Sequence, residues 1–301
     1  MSQDQTRVCL AHSGDRSRGV GQALQALATG TVKNRHVLIK PNFNTADPAP
    51  GSTHNDTLVA LVDEIWKMGA RSVTVGERSY PPTASVMKDK GIVALLAARD
   101  VRILDFDTLS ENDWVKVDAA DSHWRNGFRV ARPILEAECL VSTGCLKTHQ
   151  FGGVFTMSLK LHVGVVPTTR NGYDYMAELH GSPFQQELIA ELNAPFSPDL
   201  VVLDGVEAFV DGGPATGKRV RGEVILAATD RVAADAVGLA VLKHLGSNAA
   251  VMERPIFAQK QIARAVALGL GATSPEAIDL VAADPSSQDY RDKVAAILAE
   301  G

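Results

Sequence analysis

Residues 139–167 read CLVSTGCLKTHQFGGVFTMSLKLHVGVVP, and they carry one Lys-x-His triplet twice, as Lys147-Thr148-His149 and as Lys160-Leu161-His162, 13 positions apart. On a strand, residues two apart point to the same side, so each Lys would share a face with its His. On a helix the same pair would diverge by roughly 200°. The neighbours Val154, Phe155, Thr156, Val163, Val165 and Val166 are β-branched or aromatic and favour the strand. Two cations and two imidazoles inside an otherwise apolar run point to a site for an anion, a metal or a proton transfer.

Working outward, 301 residues suffice for one large α/β domain or two smaller lobes, and either buries a substantial core. Apolar residues make up 45% and charged residues 22%, with a net charge of −5, which is ordinary for a globular protein. Lys and Arg are scattered, with no basic face carrying interleaved aromatics, so a nucleic-acid partner is not expected. No stretch approaches the ~20 apolar residues of a membrane helix. The polar N-terminal segment MSQDQTRVCLAH lacks a signal-peptide core, and the expected location is the cytoplasm. Cys9, Cys139 and Cys145 follow no CxxC spacing, so neither a disulfide framework nor a self-contained iron–sulfur cluster is expected.

In chain order, strands are predicted over 7–11, 36–40, 72–75, 101–104, 138–141, 199–203 and 224–227. Helices are predicted over 20–27, 58–66, 83–99 with a break near Gly91, 183–193, 230–245 capped by Asp230, 256–268 and 289–299. Asn55 or Asp56 is the expected cap of the second helix. Strands alternating with helices argue for an α/β fold with a mainly parallel sheet and helices on both faces. Residues 110–132 are irregular and form the one candidate lobe boundary in what is otherwise a single α/β domain over 1–301. Polar residues cluster just past strand ends at Lys40-Pro41-Asn42, Gly76-Glu77, Asp105, Ser142-Thr143, Asp204-Gly205 and Thr229-Asp230. In open α/β sheets that edge is where ligands bind.

The order of these pieces resembles a family, the domain of unknown function 362. The likeness rests on VLIKPNFN (37–44), GARSVTVGE (69–77), LVSTGCLKTH (140–149), FTMSLKLHVGVVP (155–167), His180, PDLVVLDGVEAFVDGGPATG (198–217) and VILAATDRVAADAVG (224–238). It spans roughly residues 37–272. Many relatives carry a ferredoxin-like cysteine cluster, which implies an electron-transfer role for them; this chain has no such cluster. The family usually reads Lys-Asn where this chain has Lys160-Leu161-His162. A looser likeness is to nickel-pincer lactate racemases, two-lobed α/β enzymes using Lys and His around an anionic substrate.

Lysine is rarely set in a β-branched run unless it is paired or used. Lys147 and Lys160 are therefore read as the clamp for a carboxylate or phosphate, and His149 and His162 as the groups that move protons. Lys40, Asn42, Thr148 and His180 are the expected substrate-binding side chains. In the loop Gly212–Gly217, Gly213 and Gly217 would let backbone N–H groups approach the anion. A divalent metal would draw on Glu77 or Asp204. The expectation is an enzyme acting on a small anionic, carboxylated ligand, such as a metal-assisted isomerase, lyase or hydrolase. The alternative is a metal or cofactor binding module serving redox partners. Oligomeric state is not legible.

Overall fold

In the computed structural model of the chain, residues 5–118 and 121–301 are described. The main sheet has ten strands. Eight of them lie side by side in the order Ile278–Ala282, Thr6–His12, Val224–Ala228, Leu200–Gly212, Cys139–His149, His36–Lys40, Ser72–Glu77 and Val101–Asp105. Val224–Ala228 is antiparallel to both of its neighbours, and every other adjacent pair is parallel. The α/β class and the mostly parallel sheet are as the alternating pattern predicts. The reversed strand has one consequence for the site. Thr229-Asp230 follows a strand that runs against the rest, so it lies at the opposite edge from Lys40 and Glu77.

Alternation along the strands divides the core into two layers. Val37, Ile39, Val73, Val141 and Val202 pack on one face with the helices Arg16–Leu27 and Asn55–Lys67. Leu140, Leu146, Leu203 and Leu226 point the other way, toward the helix Arg231–His244. This last helix is buried at every position from Arg231 to Leu242, as its nearly unbroken apolar sequence requires.

Helix boundaries follow local chemistry. Asp230 caps its helix through the amides of Val232 and Ala233. The predicted break near Gly91 is real: helix Thr83–Asp89 stops, and Ile92–Ala97 restarts after a glycine at φ 66°, a conformation glycine adopts at low cost. The cap of Asn55–Lys67 is His54, whose ring accepts from the Asp56 amide, rather than Asn55 or Asp56. Within 110–132, a hairpin of Trp114–Val117 and Phe128–Ala131 is formed, and Trp114, Trp124 and Phe128 are buried in the core layer that holds Leu140. Positions 119 and 120 of that stretch lie outside the described residues.

Candidate active site

Parallel neighbours end on one edge, and that edge is where the polar residues gather. Lys40 and Glu77 terminate adjacent parallel strands, and Lys40 Nζ lies 2.5 Å from Glu77 Oε1 with both side chains 1% exposed. The ammonium also donates to the carbonyls of Pro41 (2.7 Å) and Leu161 (3.2 Å). Glu77 accepts from the amides of Phe43 (2.7 Å) and Arg78 (2.9 Å). Burial lowers the Lys40 ammonium and raises the Glu77 carboxyl, and each partner opposes the other's shift. All three N–H groups of Lys40 and both oxygens of Glu77 are engaged, so the pair serves as a neutralised floor.

The Cys139–His149 strand runs past this floor. Ser142 is in register with Lys40, and the strand continues to His149, where it pairs antiparallel with Val154–Thr156. The period of two holds here, and Lys147 and His149 face one cavity of about 640 Å³. The Lys147 ammonium is 1% exposed and donates to Asn42 Oδ1 (3.0 Å), the Gly51 carbonyl and the Pro214 carbonyl (3.4 Å). Burial draws it down to about 8. Burial, then the charges of Lys160 and Lys147, push the His149 imidazole to about 2, so it is neutral at any ordinary pH. His149 Nδ1 is buried with no hydrogen-bond partner among the described residues.

The second triplet departs from the strand prediction. After Thr156 the chain turns into a short helix, Ser158–Leu161, followed by a 3₁₀ turn, His162–Val165. The cause is remote: Asp235, on the long buried helix, accepts from the amides of Ser158 (2.7 Å) and Leu159 (3.0 Å) and so caps the turn. Burial raises the Asp235 carboxyl to about 7. In a helical turn the two members of the triplet part. Lys160 enters the cavity, whereas His162 is fully buried elsewhere. Asn193 Oδ1 fixes its Nδ1 as the donor (2.7 Å), and Ser142 Oγ then donates to Nε2 (2.7 Å). Burial holds this imidazole far below its usual range. The four groups therefore do not share one hollow; three do.

Lys160 is the exception among the buried lysines. It is 8% exposed, and among the described residues its ammonium has neither a hydrogen-bond acceptor nor a carboxylate partner. Burial, with the nearby Lys147 charge, lowers it to about 7. Arg78, not anticipated from sequence, also lines the cavity. Its Nη atoms hold Thr168 Oγ1 (3.0 Å) and the Val163 carbonyl (3.1 Å), while Nε is buried and unpaired. Its position directly after the strand-ending Glu77 was the available signal. Thr156 contributes a buried, unpaired hydroxyl. Asn42 lines the same wall. At the mouth stand Tyr80 and Phe151, 73% and 63% exposed. His180 stands there too, with Nδ1–H donated to the Met176 carbonyl (2.8 Å), which leaves Nε2 as the acceptor.

Other expected site residues lie apart. Thr148 sits on the opposite side of its strand, fully buried and outside the cavity lining. Gly213 and Gly217 are turn glycines: the Gly213 amide is used by the Thr216 carbonyl (2.7 Å), and a Cβ there would fall 2.0 Å from the Thr148 carbonyl oxygen. Only Pro214 of that loop reaches the cavity. Asp204 is away from it, accepting from Arg16 Nε (2.8 Å), Thr57 Oγ1 (2.6 Å) and the Val206 amide (2.9 Å). Each oxygen of Glu77 and of Asp204 already accepts at least one hydrogen bond, and among the described residues no three His, Cys, Asp or Glu side chains form a ligating group.

The profile of the domain of unknown function DUF362 matches residues 37–240. The chain belongs to this family. Every residue lining the cavity falls within the DUF362 region. The strands Thr6–His12 and Ile278–Ala282 fall outside it and complete the far edge of the sheet. A relative in sequence is the thylakoid-associated protein sll1697 of Synechocystis sp., 26% identical over 204 residues. The match covers 67% of this chain and 61% of that protein, so the chain spans less than two thirds of its relative's length. Among solved structures, the lactate racemase apoprotein of Thermoanaerobacterium thermosaccharolyticum overlaps 69% of this chain and 52% of its own, with a TM-score of 0.43 and 14% identity. No helix of the DUF362 chain, among the described residues, is long and apolar enough to cross a membrane.

Proposed function

We propose that the cavity is the active site of a cytoplasmic enzyme that acts on a small carboxylated molecule. The observation that carries this reading is Lys160, a side chain only 8% exposed whose amine has no protein partner among the described residues, in a cavity whose single carboxylate among those residues, Glu77, is already paired with Lys40. Such surroundings attract an anion. Arg78 Nε–H can donate to a ligand carboxylate. Lys147, whose three N–H groups are committed to Asn42, Gly51 and Pro214, supplies fixed positive charge to the same end.

The groups able to handle a proton beside that carboxylate are Lys160 and His149. An amine lowered to about 7 exchanges between base and acid near neutral pH, where proton transfer is most effective. The neutral His149 imidazole is a hydrogen-bond partner rather than a cation. The test is α-carbon hydrogen exchange in D₂O, followed by NMR over a panel of short carboxylic acids. Exchange with one or more acids is expected, lost in Lys160→Met. A panel that shows neither calorimetric binding nor exchange would remove this reading. Cell fractionation, with the protein in the soluble fraction, checks the location.

A further inference from the structure

Three buried lysines approach the sheet edge, and their surroundings sort them. Lys40 is paired with Glu77 at 2.5 Å. Lys147 is surrounded by Asn42 Oδ1 and two carbonyls. Lys160 alone has an uncommitted amine among the described residues, although it is 8% exposed. An ammonium left in this state would carry an uncompensated desolvation cost, whereas a neutral amine there exposes a lone pair.

The polar atoms nearest this problem are unpaired as well. His149 Nδ1, Thr156 Oγ1 and Arg78 Nε are each buried without a partner among the described residues, and all three residues line the cavity with Lys160. Lys160 Cε and His149 Nδ1 both come within 3.0 Å of the point where a Cβ on Gly153 would sit. The missing side chain at Gly153 is thus what lets imidazole and amine come together. Buried polar atoms in native proteins are nearly always satisfied. Three such atoms beside the uncommitted Lys160 amine therefore outline the polar features of what binds there: an acceptor for Arg78, a group that exchanges protons with His149 and Thr156, and an electrophile for the amine.

We propose that Lys160 is the nucleophile of this cavity and forms an imine with the carbonyl carbon of a 2-oxo carboxylic acid whose carboxylate is held by Arg78. This rests on the carboxylate-binding enzyme reading above and names its substrate class. The amine lone pair forms the N–C bond as the carbonyl π pair moves to oxygen, which takes up a proton to become a hydroxyl. The amine gives up its two protons, and the hydroxyl leaves as water when the nitrogen lone pair closes the C=N bond. The balance is amine plus carbonyl giving imine plus water, with no oxidant or reductant. His149 Nδ1 and the Thr156 hydroxyl are placed to carry these protons. The absence of a free carboxylate near Lys160, among the described residues, keeps the amine from being held as an ion pair, and the neighbouring Lys147 charge favours the unprotonated form.

The experiment is reductive trapping of the full chain with pyruvate and sodium cyanoborohydride, read by intact mass and peptide mapping. Calorimetric titration with propionate, which lacks the carbonyl, runs in parallel. The expected result is one secondary-amine adduct at Lys160 in the wild type, suppressed at least tenfold by excess propionate. It should be absent in Lys160→Met shown to be folded by circular dichroism. Mapping on the wild type keeps the test valid if that variant does not fold. Propionate binding without a Lys160 adduct overturns the imine and leaves the carboxylate reading standing. An adduct spread over surface lysines also overturns it. If neither acid binds, the carboxylate reading falls, and the imine with it.

Discussion

Lys40 and Glu77, each the last residue of its strand, are joined at 2.5 Å beneath the cavity with 1% of either side chain exposed. Removing one partner of a buried pair strands the other charge, at a cost of about 3–5 kcal/mol. Glu77→Gln and Lys40→Met are each expected to lose stability of that order in urea unfolding. The double substitution should lose less than the two singles together. Additive losses would show that the pair is not coupled.

Lys160 gives stability a particular pH slope. Its amine titrates near 7 when folded, against the ordinary lysine value of 10.5 that it regains on unfolding, so the unfolded chain binds more protons throughout that interval. Stability contributed by this group therefore rises with pH from about 7 to about 10.5, and below 7 its penalty is fully present. Lys160→Met is expected to be more stable than wild type at pH 7, by an amount on the order of 2–4 kcal/mol. The gap should close by pH 10.5, as seen in melts across that range. A constant gap would show that the amine is not held down by burial. Turnover that depends on the free amine should rise with pH through about 7.

The two histidines should separate stability from function. His162→Ala leaves Ser142 Oγ without its partner and Asn193 Oδ1 with Arg231 Nη1 alone, and with the cavity it opens about 2–4 kcal/mol of stability should go. Carboxylate binding by the folded fraction should stay. His149→Ala removes an imidazole whose Nδ1 makes no hydrogen bond among the described residues, so about 1 kcal/mol or less is expected, while α-proton exchange falls. Denaturant titration beside exchange rates checks both, and the reverse pattern would put His162 at the site.

Gly213 holds a φ of 75°, and a methyl group there would meet the Thr148 carbonyl oxygen at 2.0 Å. Gly213→Ala is expected to cost about 2–4 kcal/mol and to shift the end of the strand that carries His149. A neutral thermal midpoint would show that this loop yields instead.

Much of the fold was legible because its signals are local. Apolar runs ended by Pro-Asn, Gly-Glu or Asp-Gly marked the inner strands, Gly91 marked the helix break, and Asp230 marked a cap. The first Lys-x-His triplet was also legible, since Lys147 and His149 sit on a strand whose period of two does what the pattern says. The second misled, because the backbone at Lys160 is set by a carboxylate 77 positions away from Ser158, a contact that β-branched neighbours do not announce. The strand Ile278–Ala282 and the helix Tyr175–Gly181 were missed for a related reason. Each is short, and its place comes from what it pairs with or packs on rather than from its own periodicity. Arg78 carries no motif of its own, and an arginine just past a strand end is as common on a solvated surface as in a site.

The capping of the Ser158–Leu161 turn by Asp235 ties the cavity to the order in which the polypeptide is made. All of the cavity-lining residues precede the helix that anchors the Lys160 turn, so a nascent chain can carry every one of them and still lack a seat for its amine. The Lys160 turn gains its cap only when the downstream helix docks, and a chain cut short before residue 235 would lack the carboxylate that holds it.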